Sequence, residues 1–252
     1  MKRLFIALFF VLQMSSAYGI PCFAFTGAKD NNWARVYEAA GDALDRADFA
    51  LAEVLIRRGM TATAGSEFRK ILVLELLAEL YEKQGKLFEA EIVLRVMVSH
   101  IERVTFPPNI LAAAYLKVGE LNYRLNDFDA AAGEALQAIP ILVFCYGAES
   151  PQVAVALNNL AAAECSQDKL SEAQAHFRRA LEIVRKNEGQ KSELYGMTAL
   201  NLAFVCRRLE NRKEAAFWYQ KAAKVLSLVR GANDPDAIEA ARQFSMSTRK
   251  IH

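Results

Sequence analysis

From Asn32 onward, apolar residues recur at steps of three and four, the period of a helix with one buried face. Trp33, Val36, Tyr37, Ala39 and Ala40 open the pattern. Ala47, Phe49, Leu51 and Ala52 begin a second helix that ends near Arg58. The same reading predicts helices over 68–83, 87–103, 109–125, 128–144, 151–166, 170–187, 193–209, 212–229 and 235–249. Breakers separate them: Gly59 to Gly65, Gln84-Gly85, Pro107-Pro108 and Asn126-Asp127. Proline cannot continue a helix, and Asp127 is placed to cap the helix that follows it. No period suited to strands interrupts the series. Alanine and leucine are abundant and only six prolines occur, so composition favours helix throughout.

A longer period lies over the short one. Gly147-Ala-Glu-Ser-Pro151, Gly189-Gln-Lys-Ser-Glu193 and Gly231-Ala-Asn-Asp-Pro235 begin alike, with their glycines 42 residues apart. Between them Asn159-Leu160-Ala161 matches Asn201-Leu202-Ala203, Ala173 matches Ala215, Phe177 matches Tyr219 and Ala180 matches Ala222. The turn inside each helix pair repeats as well, as Gln84 to Ala90, Asn126 to Ala131, Asp168 to Ala173 and Asn211 to Ala215. Each version ends on alanine, where two helices cross too closely for a larger side chain. A fixed period with matched small, aromatic and turn residues marks a helical repeat array.

These residues resemble the tetratricopeptide repeat (TPR), a helix–turn–helix unit, and in particular its long form in kinesin light chains. Leu157-Asn-Asn-Leu-Ala161, Lys169-Leu-Ser-Glu-Ala173 and the Gly-x-x-x-Pro linker carry the likeness most strongly over 147–235. Leu77-Ala78, Tyr81, Ala90, Val118-Gly119 and Ala131 extend it over 68–146, and it is weakest over 32–60. Glu193 replaces the linker proline in one unit. The resemblance implies an all-α fold, a right-handed superhelical solenoid of antiparallel helix pairs. About five pairs are expected within a repeat domain over 32–252, as units 32–65, 66–106, 107–150, 151–192 and 193–234, with a capping helix at 235–249.

The first residues differ from the rest. Lys2 and Arg3, the apolar run Leu4 to Met14 and the small residues Ser15-Ser-Ala17-Tyr-Gly19 have the three parts of a secretory signal peptide. Residues 20–31 read as a flexible lead-in. An exported chain, periplasmic or secreted, is therefore expected. The alternative is an uncleaved membrane anchor through residues 4–25, where apolar residues resume at Ile20. Removing Lys2 and Arg3 lowers the 31 basic residues to 29, equal to the 29 acidic ones. A neutral chain lacks the basic footprint of a nucleic-acid binder. Cys22, Cys145, Cys165 and Cys206 match no zinc spacing and allow three disulfide pairings. The plainer reading makes Cys165 and Cys206 small packing residues.

Stacked helix pairs line a concave face with their first helices. Helical spacing puts Leu157, Leu160 and Ala161 on the packing side and Asn158, Asn159, Ala162 and Cys165 on the groove side. The same register selects Leu116, Lys117, Glu120, Tyr123 and Arg124, then Leu200, Asn201, Phe204, Arg207 and Arg208. The last helix adds Arg242 and Gln243. The candidate peptide-binding residues are Lys117, Tyr123, Arg124, Asn158, Asn159, Asn201, Phe204, Arg207, Arg208 and Arg242, a cationic set opposed only by Glu120. In peptide-binding relatives an asparagine preceding Leu-Ala bonds the ligand backbone, and the resemblance implies that role for Asn159 and Asn201. Lysine stands in that place at Lys117, so the carboxylate clamp of co-chaperones is not reproduced. Arg and Lys nearby would suit an acidic side chain or a C-terminal carboxylate. The competing reading is an ordinary solvated face.

No catalytic constellation emerges. His100 and His176 fall in different repeats, and His252 ends the sequence. The repeated glycines are spaced as turns, not as a phosphate loop. The expectation is a protein without enzymatic activity or cofactor that binds a protein or peptide segment. The alternative is a structural or oligomeric component using its convex face or terminal units.

Overall fold

The structure, a computed structural model, describes residues 31–63 and 65–249. The expected signal segment, Cys22 and His252 lie outside the described residues. Among the described residues eleven helices follow one another: α1 (Asn31–Asp45), α2 (Phe49–Thr61), α3 (Glu67–Lys83), α4 (Leu87–Arg103), α5 (Pro108–Arg124), α6 (Phe128–Tyr146), α7 (Pro151–Ser166), α8 (Leu170–Asn187), α9 (Glu193–Arg208), α10 (Arg212–Arg230) and α11 (Pro235–Arg249). No strand occurs among the described residues. Most ends agree with the hydrophobic pattern to within a residue or two. One turn differs: Ala47, expected inside the second helix, instead forms the turn at φ 56°, and Asp48 caps α2.

The turns repeat in geometry as well as sequence. Gly85, Asn126, Asp168 and Glu210 all hold φ between 60° and 75°. That left-handed region suits glycine, asparagine and aspartate, and a glutamate there is strained. The inter-pair glycines Gly147, Gly189 and Gly231 also hold positive φ. Ser66, Ser150 and Ser192 then cap the next helix, accepting from the amides of Arg69, Val153 and Tyr195. A serine cap of this kind contributes about 1 kcal/mol.

The described residues form two compact units, 31–127 and 128–249. In the first, α3 is apolar on two faces because it serves two cores. Val73, Leu76 and Leu80 pack with Trp33, Ala40, Leu44, Ala52 and Ile56 of α1 and α2. Ile71, Leu74 and Ala78 pack with Ala90, Leu94 and Met97 of α4 and with Ile110, Ala114 and Val118 of α5.

In the second unit α7 and α9 are buried around most of their circumference. Every residue from Leu194 to Ala203 is buried. Phe177 and Tyr219, matched across the repeat, are among the largest fully buried side chains. Helix α6 is long and apolar enough to cross a membrane by composition, yet Ala131, Ala135, Ala138 and Leu142 on one side are buried. The crossing alanines Ala90, Ala131, Ala173 and Ala215 are at most 4% exposed.

A second close crossing falls at Gly196 in α9. A Cβ there would lie 2.9 Å from Leu226 Cδ2 and 3.1 Å from Val225 Cγ1 of α10. Gly133 in α6 is exposed, and a Cβ there would meet nothing within 4 Å. Gly196→Ala should therefore destabilise the fold by about 1–3 kcal/mol through overpacking. Gly133→Ala should stabilise it by up to about 1 kcal/mol through helix propensity. Urea unfolding midpoints test both, and equal shifts of the same sign would contradict the packing described.

Candidate functional site

Helix α5 carries four of the polar residues singled out on the first helices of the 31–127 unit. Lys117 Nζ donates to Glu75 Oε1 at 3.1 Å. Arg124 pairs with Glu82, and Glu120 lies 3.9 Å from Arg124. Tyr123 is half-buried beside them in sequence. Glu75, Glu79 and Glu82 come from one face of α3, so carboxylates outnumber cations here. This corrects the expected cationic strip: Lys117 and Arg124 are committed to acids one repeat earlier. The cause is the 42-residue period, since each pair is 42 residues apart and equivalent positions of successive first helices become neighbours.

Glu120 is only 12% exposed in its side chain. Burial, and then the nearby Glu82 charge, push its carboxyl up to about 8, against the opposing pull of Arg124 and Lys117. Burial opposes the Lys117 charge, but Glu75, Glu82 and Glu79 together hold its pKa above the ordinary lysine value.

In the 128–249 unit Asn158, Asn201, Ala162 and Cys165 are buried. The register had placed them on the groove side, which the structure corrects. Asn201 turns toward α7 and donates to Asn158 Oδ1 at 3.4 Å. Leu116, Leu200 and Gln243 are likewise buried, and Leu157 is half-buried rather than packed away. These first helices are covered on both flanks, so a narrower strip remains than an isolated helix pair would leave. Cys165 and Cys206 are buried free thiols, and burial pushes Cys206 up to about 11. Cys145 is also free.

What remains on the strip is Asn159, Phe204, Arg207, Arg208 and Arg242. Asn159 is half-buried, and its Oδ1 has no hydrogen-bond partner. Arg208 donates to the Cys165 carbonyl and to Asp168, each at 2.6 Å. Arg242 holds Glu239 through two bonds of 2.7 Å, and Gln243 donates to the same carboxylate at 2.7 Å. Arg207 differs from these. Its guanidinium lies 5.1 Å above the Phe204 ring, and its Nε is shielded from solvent without a partner among the described residues. Beneath it the Tyr219 hydroxyl is buried and without a well-formed hydrogen bond. Burial raises that hydroxyl's pKa, and the Arg207 charge draws it back. Two guanidinium groups, Arg207 and Arg242, thus lie near the single carboxylate of Glu239, which Arg207 also stabilises in its charged form. The sequence marked Arg207 and Arg208 alike. Their difference lies in Asp168, a turn residue that only folding brings beside Arg208.

Residues 111–186 and 152–227 match the family model of the tetratricopeptide repeat. No curated protein matches the chain in sequence. Among solved structures, BtubC (BKLC) from P. vanneervenii is 21% identical, covering 87% of this chain and 84% of that one, with a TM-score of 0.67. A putative kinesin light chain of nearly identical TPR-like repeats from Podospora anserina is 16% identical, covering 77% of this chain and 94% of that one, with a TM-score of 0.65. A Rap protein complexed with competence and sporulation factor is 16% identical over 88% of this chain and 70% of that one, with a TM-score of 0.62. At these identities the likeness is one of fold. Residues 111–227 carry tetratricopeptide repeats, and the described residues form an all-α fold like that of kinesin-light-chain TPR solenoids.

The Glu120 environment gives a pH dependence of defined sign. The folded state keeps a proton that an unfolded carboxyl releases near 4.5, so stability falls as pH rises from there to about 8. Glu120→Gln removes that loss. Its melting temperature should match the wild type in acid and exceed it increasingly as the pH approaches 8. A difference that does not change with pH would contradict the buried, proton-holding Glu120.

Proposed function

We propose that this chain is an exported, non-enzymatic scaffold that holds an extended protein or peptide segment along the first-helix strip of its 128–249 unit. Tetratricopeptide repeats are interaction modules, and a Rap protein of this fold is complexed with competence and sporulation factor. The observation that carries the reading is Arg207, a half-buried guanidinium seated on Phe204 that makes no direct ion pair among the described residues, its nearby carboxylate, Glu239, being held by Arg242. Such a group favours an acidic side chain or a C-terminal carboxylate, which a guanidinium can grip with two parallel bonds. Asn159, whose carbonyl oxygen is shielded from solvent and has no partner among the described residues, accepts a backbone N–H of the same segment once its amide turns toward the strip. Asn201 supports the strip from within, through Asn158. Lys117, Tyr123 and Arg124 stand apart from this role because the two cations already serve Glu75 and Glu82.

Export rests on the charged start, apolar run and small residues of 1–19. Edman sequencing of the chain from its native host should begin at Ile20. A chain beginning at Met1 in the membrane fraction would instead favour the anchor through residues 4–25.

Binding is tested by fluorescence anisotropy with a mixed pool of labelled acidic peptides bearing free C-termini. Arg207→Ala should weaken binding about tenfold, the scale of one lost charge-assisted hydrogen bond. Asn159→Ala should weaken it by a smaller factor. Unchanged affinity in Arg207→Ala would contradict the reading.

A further inference from the structure

Helix α4 is apolar on two opposite faces, and the fold uses only one of them. Ala90, Leu94, Met97 and Ile101 are buried against the core of the 31–127 unit. On the other side Phe88 is 71% exposed, Ile92 60% and Val96 42%. These three are spaced by four residues and form one continuous ridge along the helix surface. A contiguous exposed apolar ridge of this kind is a mark of an interaction site. The outer face of α8 shows the contrast, since Arg178, Glu182 and Lys186 there are exposed and charged.

We propose that the α4 ridge is a homodimer interface, in which two copies of this chain pack their α4 helices antiparallel about a twofold axis through Ile92. Twofold interfaces are self-complementary, so position and charge must match their own reversal. The ridge does so in shape. Ile92 meets the second copy's Ile92, and the large Phe88 of each copy meets the smaller Val96 of the other. It does so in charge as well. Glu91 and Arg95 form an ion pair along one edge of the ridge. At 100° per residue both lie on the same side of Ile92. The twofold sets the same pair from the second copy against that edge in reverse order, bringing each Arg95 to the other copy's Glu91. Packing of two such four-residue ridges gives a crossing near −50°. The inference stands on residues of the 31–127 unit and does not depend on the peptide-binding strip.

Sedimentation equilibrium of the full chain tests it, at about 100 μM to exceed the micromolar Kd of a small interface. The wild type should sediment at twice the monomer mass. Ile92→Glu should sediment as a monomer, with the helical circular dichroism unchanged because Ile92 is not part of the core. Glu91→Arg should raise the dimer dissociation constant at least tenfold, and the double swap Glu91→Arg with Arg95→Glu should restore it. A monomeric wild type overturns the proposal, whether the ridge then binds neutral lipid vesicles or is covered by residues 1–30 of its own chain. A dimer that survives Ile92→Glu also overturns it, since association would then arise elsewhere, as in the apolar N-terminal residues. Failure of the double swap to recover the wild-type constant contradicts the twofold arrangement.

Discussion

Two helices joined by a turn of a few residues approach only as closely as the side chains at their crossing allow. In this chain those side chains are alanines, Ala90, Ala131, Ala173 and Ala215, all buried at the foot of a second helix. Gly196 makes a similar allowance where α9 meets α10. Close approach lets the apolar faces of each pair interlock, and within each unit it leaves one first helix free to pack on the next. One pair alone cannot bury its face, so stability comes from the stack. The left-handed turn residues Gly85, Asn126, Asp168 and Glu210 keep that spacing constant from pair to pair.

The same spacing decides the electrostatics. When units repeat every 42 residues, equivalent positions of successive first helices become neighbours. Lys117 then meets Glu75 and Arg124 meets Glu82, each 42 residues away. Arg208 instead reaches back to Asp168, in the turn that follows α7. Half-buried pairs of this sort satisfy each other more than they advertise themselves to a ligand. Arg207 makes no such pair with the previous repeat among the described residues. Cys165 occupies its equivalent position, a full repeat earlier.

The helices were legible in the sequence because their signals are local: a 3.6-residue period, glycines and prolines at the joints, alanines at the crossings. The turn at Ala47 was missed because alanine rarely adopts positive φ, and nothing in its local pattern announces it. The candidate residues were legible only in part. Helical spacing assigned faces as though each first helix had one covered side, whereas α7 and α9 have two. Asn158 and Asn201 were therefore placed in the groove and proved to be buried partners. The acids that occupy Lys117 and Arg124 lie on another repeat, and a single-helix reading does not see across that distance. The α4 ridge was visible as apolar residues, but its exposure follows only from knowing which face the core takes.

Among the described residues Arg207 makes no direct ion pair, and that distinguishes it from Arg124 and Arg208, which are held by Glu82 and Asp168. Acetate titration of the arginine side-chain Nε–Hε resonances compares the three directly. Acetate should shift the Arg207 signal, leaving those of Arg124 and Arg208 nearly still. Movement of Arg124 and Arg208 with Arg207 unchanged would contradict the assignment of Arg207 as the anion-receiving group.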